Sequence, residues 1–230
     1  MRLMDTTERS KGATVAEMLI ALTVVAFLLA AAITLQTNPT PSFLIPSETG
    51  PVHYPACTGP LTWSLHPQGI TESGSAVPEE TQTWANAFNQ LDEATDYTFI
   101  QLPNNSAANI SIHYTDTPSQ SGLSITTTAT GYLGIGGISD LTWSGTHWIA
   151  TESIVVLSPT MLHRWNHLPT LRPWVIRHEL GHAIGLGHQH NPSSTMATHF
   201  NPLLSQNTYQ PEDFAQINML ARTSCPRPSP

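Results

Sequence analysis

The chain has 230 residues, 40% of them hydrophobic and only 10% charged, with a formal net charge of -8 at pH 7. That length suits one well-buried domain with a tail and is short for two, and the apolar share excludes a wholly disordered chain. The acidic excess repels phosphates at long range, so no nucleic-acid partner is expected.

Arg2, Arg9 and Lys11 supply the only positive charge before residue 164, and the uncharged run Met18 to Leu35 follows them. As a helix that run extends about 27 Å, close to the hydrocarbon thickness of a bilayer. The basic flank holds the start of the chain in the cytoplasm and sends the rest across, so a membrane partner is expected through this segment. Residues 1–36 are read as a leader or transmembrane segment. The stretch from Lys11 to Leu19 resembles a type IV prepilin leader, with Gly12 at the cleavage position and Glu17 fifth in the mature chain. Ala13 departs from the aromatic residue more usual there. An uncut signal anchor, and a signal peptide cut near Ala30-Ala31-Ala32, stay open beside that reading. All three imply export, to the cell membrane with the domain outside or to the medium. The proline-rich residues 37–56 read as a spacer, 57–225 as the folded domain and 226–230 as a tail.

Within the domain, Leu61 to Leu65 alternates like a strand. Pro78 to Thr95 predicts a helix, with Glu79 and Glu80 in its first turn and Trp84, Phe88 and Leu91 on one face. Tyr97 to Leu102 and Asn109 to Tyr114 predict strands. Gly131 to Gly137 predicts a loop with backbone angles other residues avoid. Glu152 to Ser158 predicts a strand, a helix starts near Pro173, and Pro211 to Ala221 predicts a last helix with Phe214, Ile217 and Leu220 on one face. The order is that of an α+β fold.

The chemistry lies in His178-Glu179-Leu180-Gly181-His182-Ala183-Ile184-Gly185-Leu186-Gly187-His188. Residues four apart share a helix face, so His178 and His182 converge on one ion. Zinc binds tetrahedrally and needs a third ligand from another direction. Gly185 can end the helix in a left-handed conformation and turn the chain back, which lets His188 approach. Three neutral histidines leave the fourth position open, the mark of a catalytic zinc site. Glu179, next to His178 and not itself a ligand, is the candidate general base. Packing alone gives no reason for histidines here, because each buries polar nitrogen.

The pattern resembles the metzincin signature, and Met196, eight residues after His188, matches the methionine turn that metzincins place beneath their zinc ligands. Within that group the chain is most similar to the matrixins and their bacterial relatives, through Leu61-Thr62-Trp63, the segment Ala94 to Phe99 and Gln210 to Leu220. Thr198 replaces the tyrosine that astacin-like and serralysin-like enzymes carry. The proline matrixins place after the turn methionine is missing, and so is a cysteine-switch propeptide.

The resemblance implies a metzincin-like zincin fold: a twisted, mostly parallel mixed sheet with an active-site helix and a C-terminal helix. It implies a zinc endopeptidase that takes peptide or protein substrates in extended form along a sheet edge. Matrixins also hold structural zinc and calcium. Gly134 to Gly137 with Asp140 are the candidates for Ca2+, and His113, His147, His163 and His167 for extra ligands, without a convincing set of partners. His190 and His199 read as rim residues. Cys57 and Cys225 either form a long-range disulfide, remain thiols, or leave Cys57 to act as an inhibitory zinc ligand. The leader motivates the alternative of a pilin-like assembly or adhesion subunit whose protease domain binds without cutting.

Overall fold

The computed structural model describes residues 53–117, 132–143, 148–204 and 208–223. The leader, the Met18–Leu35 run, most of the spacer, His147, Cys225 and the tail lie outside them. Among the described residues no helix is long and apolar enough to cross a membrane.

Five strands of the described residues form one sheet: β1 (Leu61–His66), β2 (Phe99–Gln101), β3 (Ile110–Tyr114), β4 (Gly134–Trp143) and β5 (Trp148–Leu157). Their order is β2-β1-β3-β5-β4, parallel throughout except that β4 runs antiparallel to β5 at the edge. Among the described residues four α-helices accompany the sheet: α1 (Val77–Ala94), α2 (Pro159–Arg164), α3 (Leu171–Ala183) and α4 (Pro211–Thr223). Period-2 alternation sends Trp63, Leu65, Ile110, Ile112, Val155 and Leu157 into the main core. α1 meets them with the stripe Trp84, Ala87, Phe88 and Leu91, and Trp63 stacks on Phe88 at 4.6 Å between ring centroids. The predicted strands and helices are present, and α2 was not anticipated.

One expectation needs correction. The Gly131–Gly137 segment is not a loop where it is described: Gly134, Gly136 and Gly137 pair with Leu157, Val155 and Ile154 inside β4. None of these three has positive φ. Their glycine content serves contact instead. A Cβ on Gly136 would stand 2.0 Å from the Glu179 carbonyl oxygen, so the strand lies against α3 only because no side chain intervenes. Packing against the sheet also involves residues just before 57. Tyr54 is buried, and its hydroxyl donates to the Asn109 carbonyl and lies 2.9 Å from Ser153 Oγ. Cys57 is disulfide-bonded, which removes it as a zinc-binding thiolate.

α3 is buried on nearly every side from Trp174 to Gly181, so it is the central helix of the domain. Its first turn is fixed by a polar knot. Arg172 pairs with buried Glu80 at 2.7 Å and also donates to the Ser73 carbonyl and to Ser75 Oγ. Tyr114 donates to the same carboxylate and accepts from Trp84 Nε1 at 2.9 Å. Glu80, read from sequence as an acid at a helix start, therefore joins α1, α3 and β3.

On the opposite sheet face, His66 and His113 stand side by side in β1 and β3 with rings stacked at 4.1 Å. Burial lowers both below the ordinary imidazole range, His113 to about 4 with His66 as a second cause. An unfolded histidine titrates near 6.5, so between there and about 4 the unfolded chain binds more protons. Their contribution is complete at neutral pH and declines as pH falls through that window. The urea midpoint is expected to be lower at pH 5 than at pH 7, and the drop to be smaller in His113→Gln. Equal drops in the two proteins would refute this role.

Candidate metal centre

His178 and His182 lie one turn apart on α3. The helix closes with the Leu186 N–H on the Gly181 carbonyl at 2.9 Å and the Gly185 N–H on the His182 carbonyl at 3.1 Å. These are the two bonds of a Schellman ending, and Gly185 has φ 106°, which an L side chain rarely adopts. The reversed chain delivers His188. The three Nε2 atoms then form a triangle with edges of 3.1, 3.2 and 3.3 Å.

The tautomers follow from the acceptors around the rings. His178 Nδ1 faces the Thr195 carbonyl at 2.8 Å, and His182 Nδ1 faces the Leu186 carbonyl at 2.8 Å. A carbonyl only accepts, so both Nδ1 atoms carry the proton and both Nε2 atoms present lone pairs inward. Burial lowers the pKa of all three rings, His182 to about 4, which keeps them neutral at pH 7. Lone pairs facing one another this closely repel unless a cation sits among them. Three corners of a tetrahedron with zinc–nitrogen bonds of about 2.0–2.1 Å lie roughly 3.3–3.4 Å apart. The observed triangle fits that ion. It is the one cluster of three or more metal-binding side chains among the described residues.

Glu179 is buried beside His178. Burial pushes its carboxyl up to about 8, against which the Gly136 backbone N–H donates to the carboxylate. A Cβ on Gly134 would come within 2.6 Å of Glu179 Cγ, so β4 walls in this side chain. A divalent cation at the triad acts against the burial and favours the charged form. Met196 is fully buried, and a Cβ on Gly181 would stand 2.3 Å from its sulfur, so the thioether packs against the helix turn between His178 and His182.

Several residues escaped the sequence reading. Trp174 lies 4.7 Å from the His178 ring and 5.3 Å from Phe200, between centroids. Thr195 and Leu186 act through carbonyls that no residue type advertises. Among the rim candidates, His199 is exposed and contributes to the lowering of His188, and His190 is exposed. His163 falls in α2 and His167 after it, and among the described residues neither belongs to a three-residue metal cluster. Calcium finds no support. The Gly134–Gly137 backbone is engaged in the β4–β5 ladder, and Asp140 accepts from Thr151 Oγ at 3.0 Å.

No curated protein matches the chain. The matrixin family profile matches residues 57–221, a span holding all five strands, the histidine triad, Glu179 and Met196. The chain therefore belongs to the matrixins, which are zinc-dependent metalloproteases.

Proposed function

We infer that His178, His182 and His188 hold the catalytic zinc of an endopeptidase, with Glu179 as general base. The observation that carries this reading is the inward-facing Nε2 triangle, which matches zinc in edge length and in protonation. Zinc held there supplies a Lewis acid that polarises a carbonyl oxygen and acidifies water. Glu179 takes a proton from the attacking water as its oxygen bonds to the peptide carbon. The same carboxyl then delivers that proton to the amine nitrogen as the C–N bond breaks. Gly136 holds Glu179 in place through its backbone N–H. Among the described residues β4 has a neighbour on one side only, so its outer edge offers N–H and C=O groups to an extended substrate.

The substrates we assign are extracytoplasmic proteins. The basic flank before the Met18–Leu35 run favours export, with residues 1–36 as leader or tether and the prolines after them as spacer. The disulfide at Cys57 suits an oxidising compartment.

The test is incubation of the full zinc-loaded chain with a defined peptide library, with cut sites mapped by mass spectrometry. Internal cuts that stop on chelation and return with zinc are expected. Trimming confined to peptide ends would remove the endopeptidase assignment. A library retained uncut on the protein would instead fit the binding-only subunit.

A further inference from the structure

We propose that Asp213 is a positioning residue of the metal centre, its buried carboxylate fastening together the two chain segments that set His178 and His188. The inference rests on the zinc reading above and names the group that holds that site in shape. Asp213 is completely buried, and among the described residues no ion pair involves it. Four neutral donors converge on it instead. Its Oδ1 accepts from Ser194 Oγ at 2.7 Å and Gln189 Nε2 at 3.1 Å. Its Oδ2 accepts from the backbone N–H groups of Thr195 at 3.2 Å and Gln210 at 2.9 Å.

One of these bonds has an ordinary explanation. Gln210 immediately precedes α4 and Asp213 is the third residue of that helix, so the carboxylate reaches back to the N-cap N–H as a capping box does. Capping needs none of the other three, and all of those run to the metal centre. The Thr195 N–H that Oδ2 holds belongs to the residue whose carbonyl accepts from His178 Nδ1. The Ser194 hydroxyl that Oδ1 holds accepts in turn from the Met196 N–H at 2.9 Å. Gln189 directly follows His188, and its own N–H donates to the Met196 carbonyl at 2.8 Å. One carboxylate therefore fixes both the acceptor behind the first histidine and the strand leaving the third.

Only an acceptor on both oxygens satisfies this arrangement. In Asp213→Asn one side becomes an NH2 group, which must face either the Thr195 and Gln210 N–H groups or the Ser194 and Gln189 donors. Donor against donor pushes the turn away and moves the Thr195 carbonyl from His178. Loss of such an outer partner of a ligating histidine lowers metal affinity by about 10–100-fold.

Zinc dissociation constants of the full-length protein, measured by chelator competition, decide the matter together with the visible spectrum of the cobalt-substituted protein. Asp213→Asn is expected to weaken zinc by about 10–100-fold, shift the cobalt bands and lower kcat with little change in KM. Gln189→Ala, which leaves the α4 cap intact, is expected to move affinity and spectrum in the same direction by less, and serves if Asp213→Asn does not fold. Wild-type affinity and spectrum in the folded variants, whatever their melting temperatures, would reduce Asp213 to a helix cap and overturn the proposal. Absence of zinc binding by the wild-type chain would instead overturn the reading of the triad itself.

Discussion

Replacing Glu179 with Gln is expected to lower peptide hydrolysis by about two to four orders of magnitude while one zinc stays bound, the usual weight of a general base. The substitution keeps size and shape, so the wall formed by Gly134 and Gly136 still accommodates the side chain. The amide oxygen can still accept from the Gly136 N–H. In the proposed mechanism, what disappears is the ability to take a proton from water and return it to the leaving amine. The histidines are untouched, since their Nδ1 protons go to Thr195 and Leu186 rather than to Glu179. Single-turnover rates with zinc stoichiometry on the same sample separate the two effects. Turnover within a few-fold of wild type would remove Glu179 from the mechanism.

The second large effect is expected at Gly136. Alanine in place of a glycine with an unstrained backbone normally stabilises by about 0.4–1 kcal/mol, because the unfolded chain loses freedom. Here the added Cβ would meet the Glu179 carbonyl oxygen at 2.0 Å, its carbon at 2.6 Å and its Cα at 2.8 Å. All three atoms are helix backbone, which cannot rotate aside, so α3 and β4 must separate. The cost is expected near the upper end of overpacking, about 3 kcal/mol, and hydrolysis falls with it because Glu179 loses its place. Gly187→Ala is the control. Its Cβ meets nothing within 4 Å and its φ lies outside the left-handed region, so stability should hold or rise slightly. Urea midpoints of the two variants side by side test the claim. A Gly136→Ala protein as stable as the control would show that the strand and helix do not meet as described.

The contrast between those glycines marks where sequence reading succeeds. Gly185 was legible because its task is local. It ends a helix between two histidines of the triad six residues apart, and its φ of 106° is the conformation that task requires. Gly136 carried the same residue type and was read the same way, as a loop former. Its reason for being glycine is a helix residue 43 positions further along the chain, which spacing does not reveal. Strand β4 was lost with it, and with β4 went the sheet edge that borders the site. Glu80 and Asp213 mislead in a similar manner. Each sits in the first turn of a helix, where an acid has a sufficient local explanation, and each is in fact buried against partners far away in the sequence.

The amino-acid sequence by itself determined the histidine triad, because His178, His182 and His188 are brought together by one helix turn and one chain reversal within eleven residues. It also determined the period-2 strands of the parallel sheet and the apolar stripe of α1. Tertiary structure alone decided which carbonyls orient the histidines, which strand encloses Glu179, and what ties residue 189 to residue 213. Those are contacts between segments whose side chains carry no mutual signal along the chain, and they exist only once burial has forced every polar group inside to find a partner.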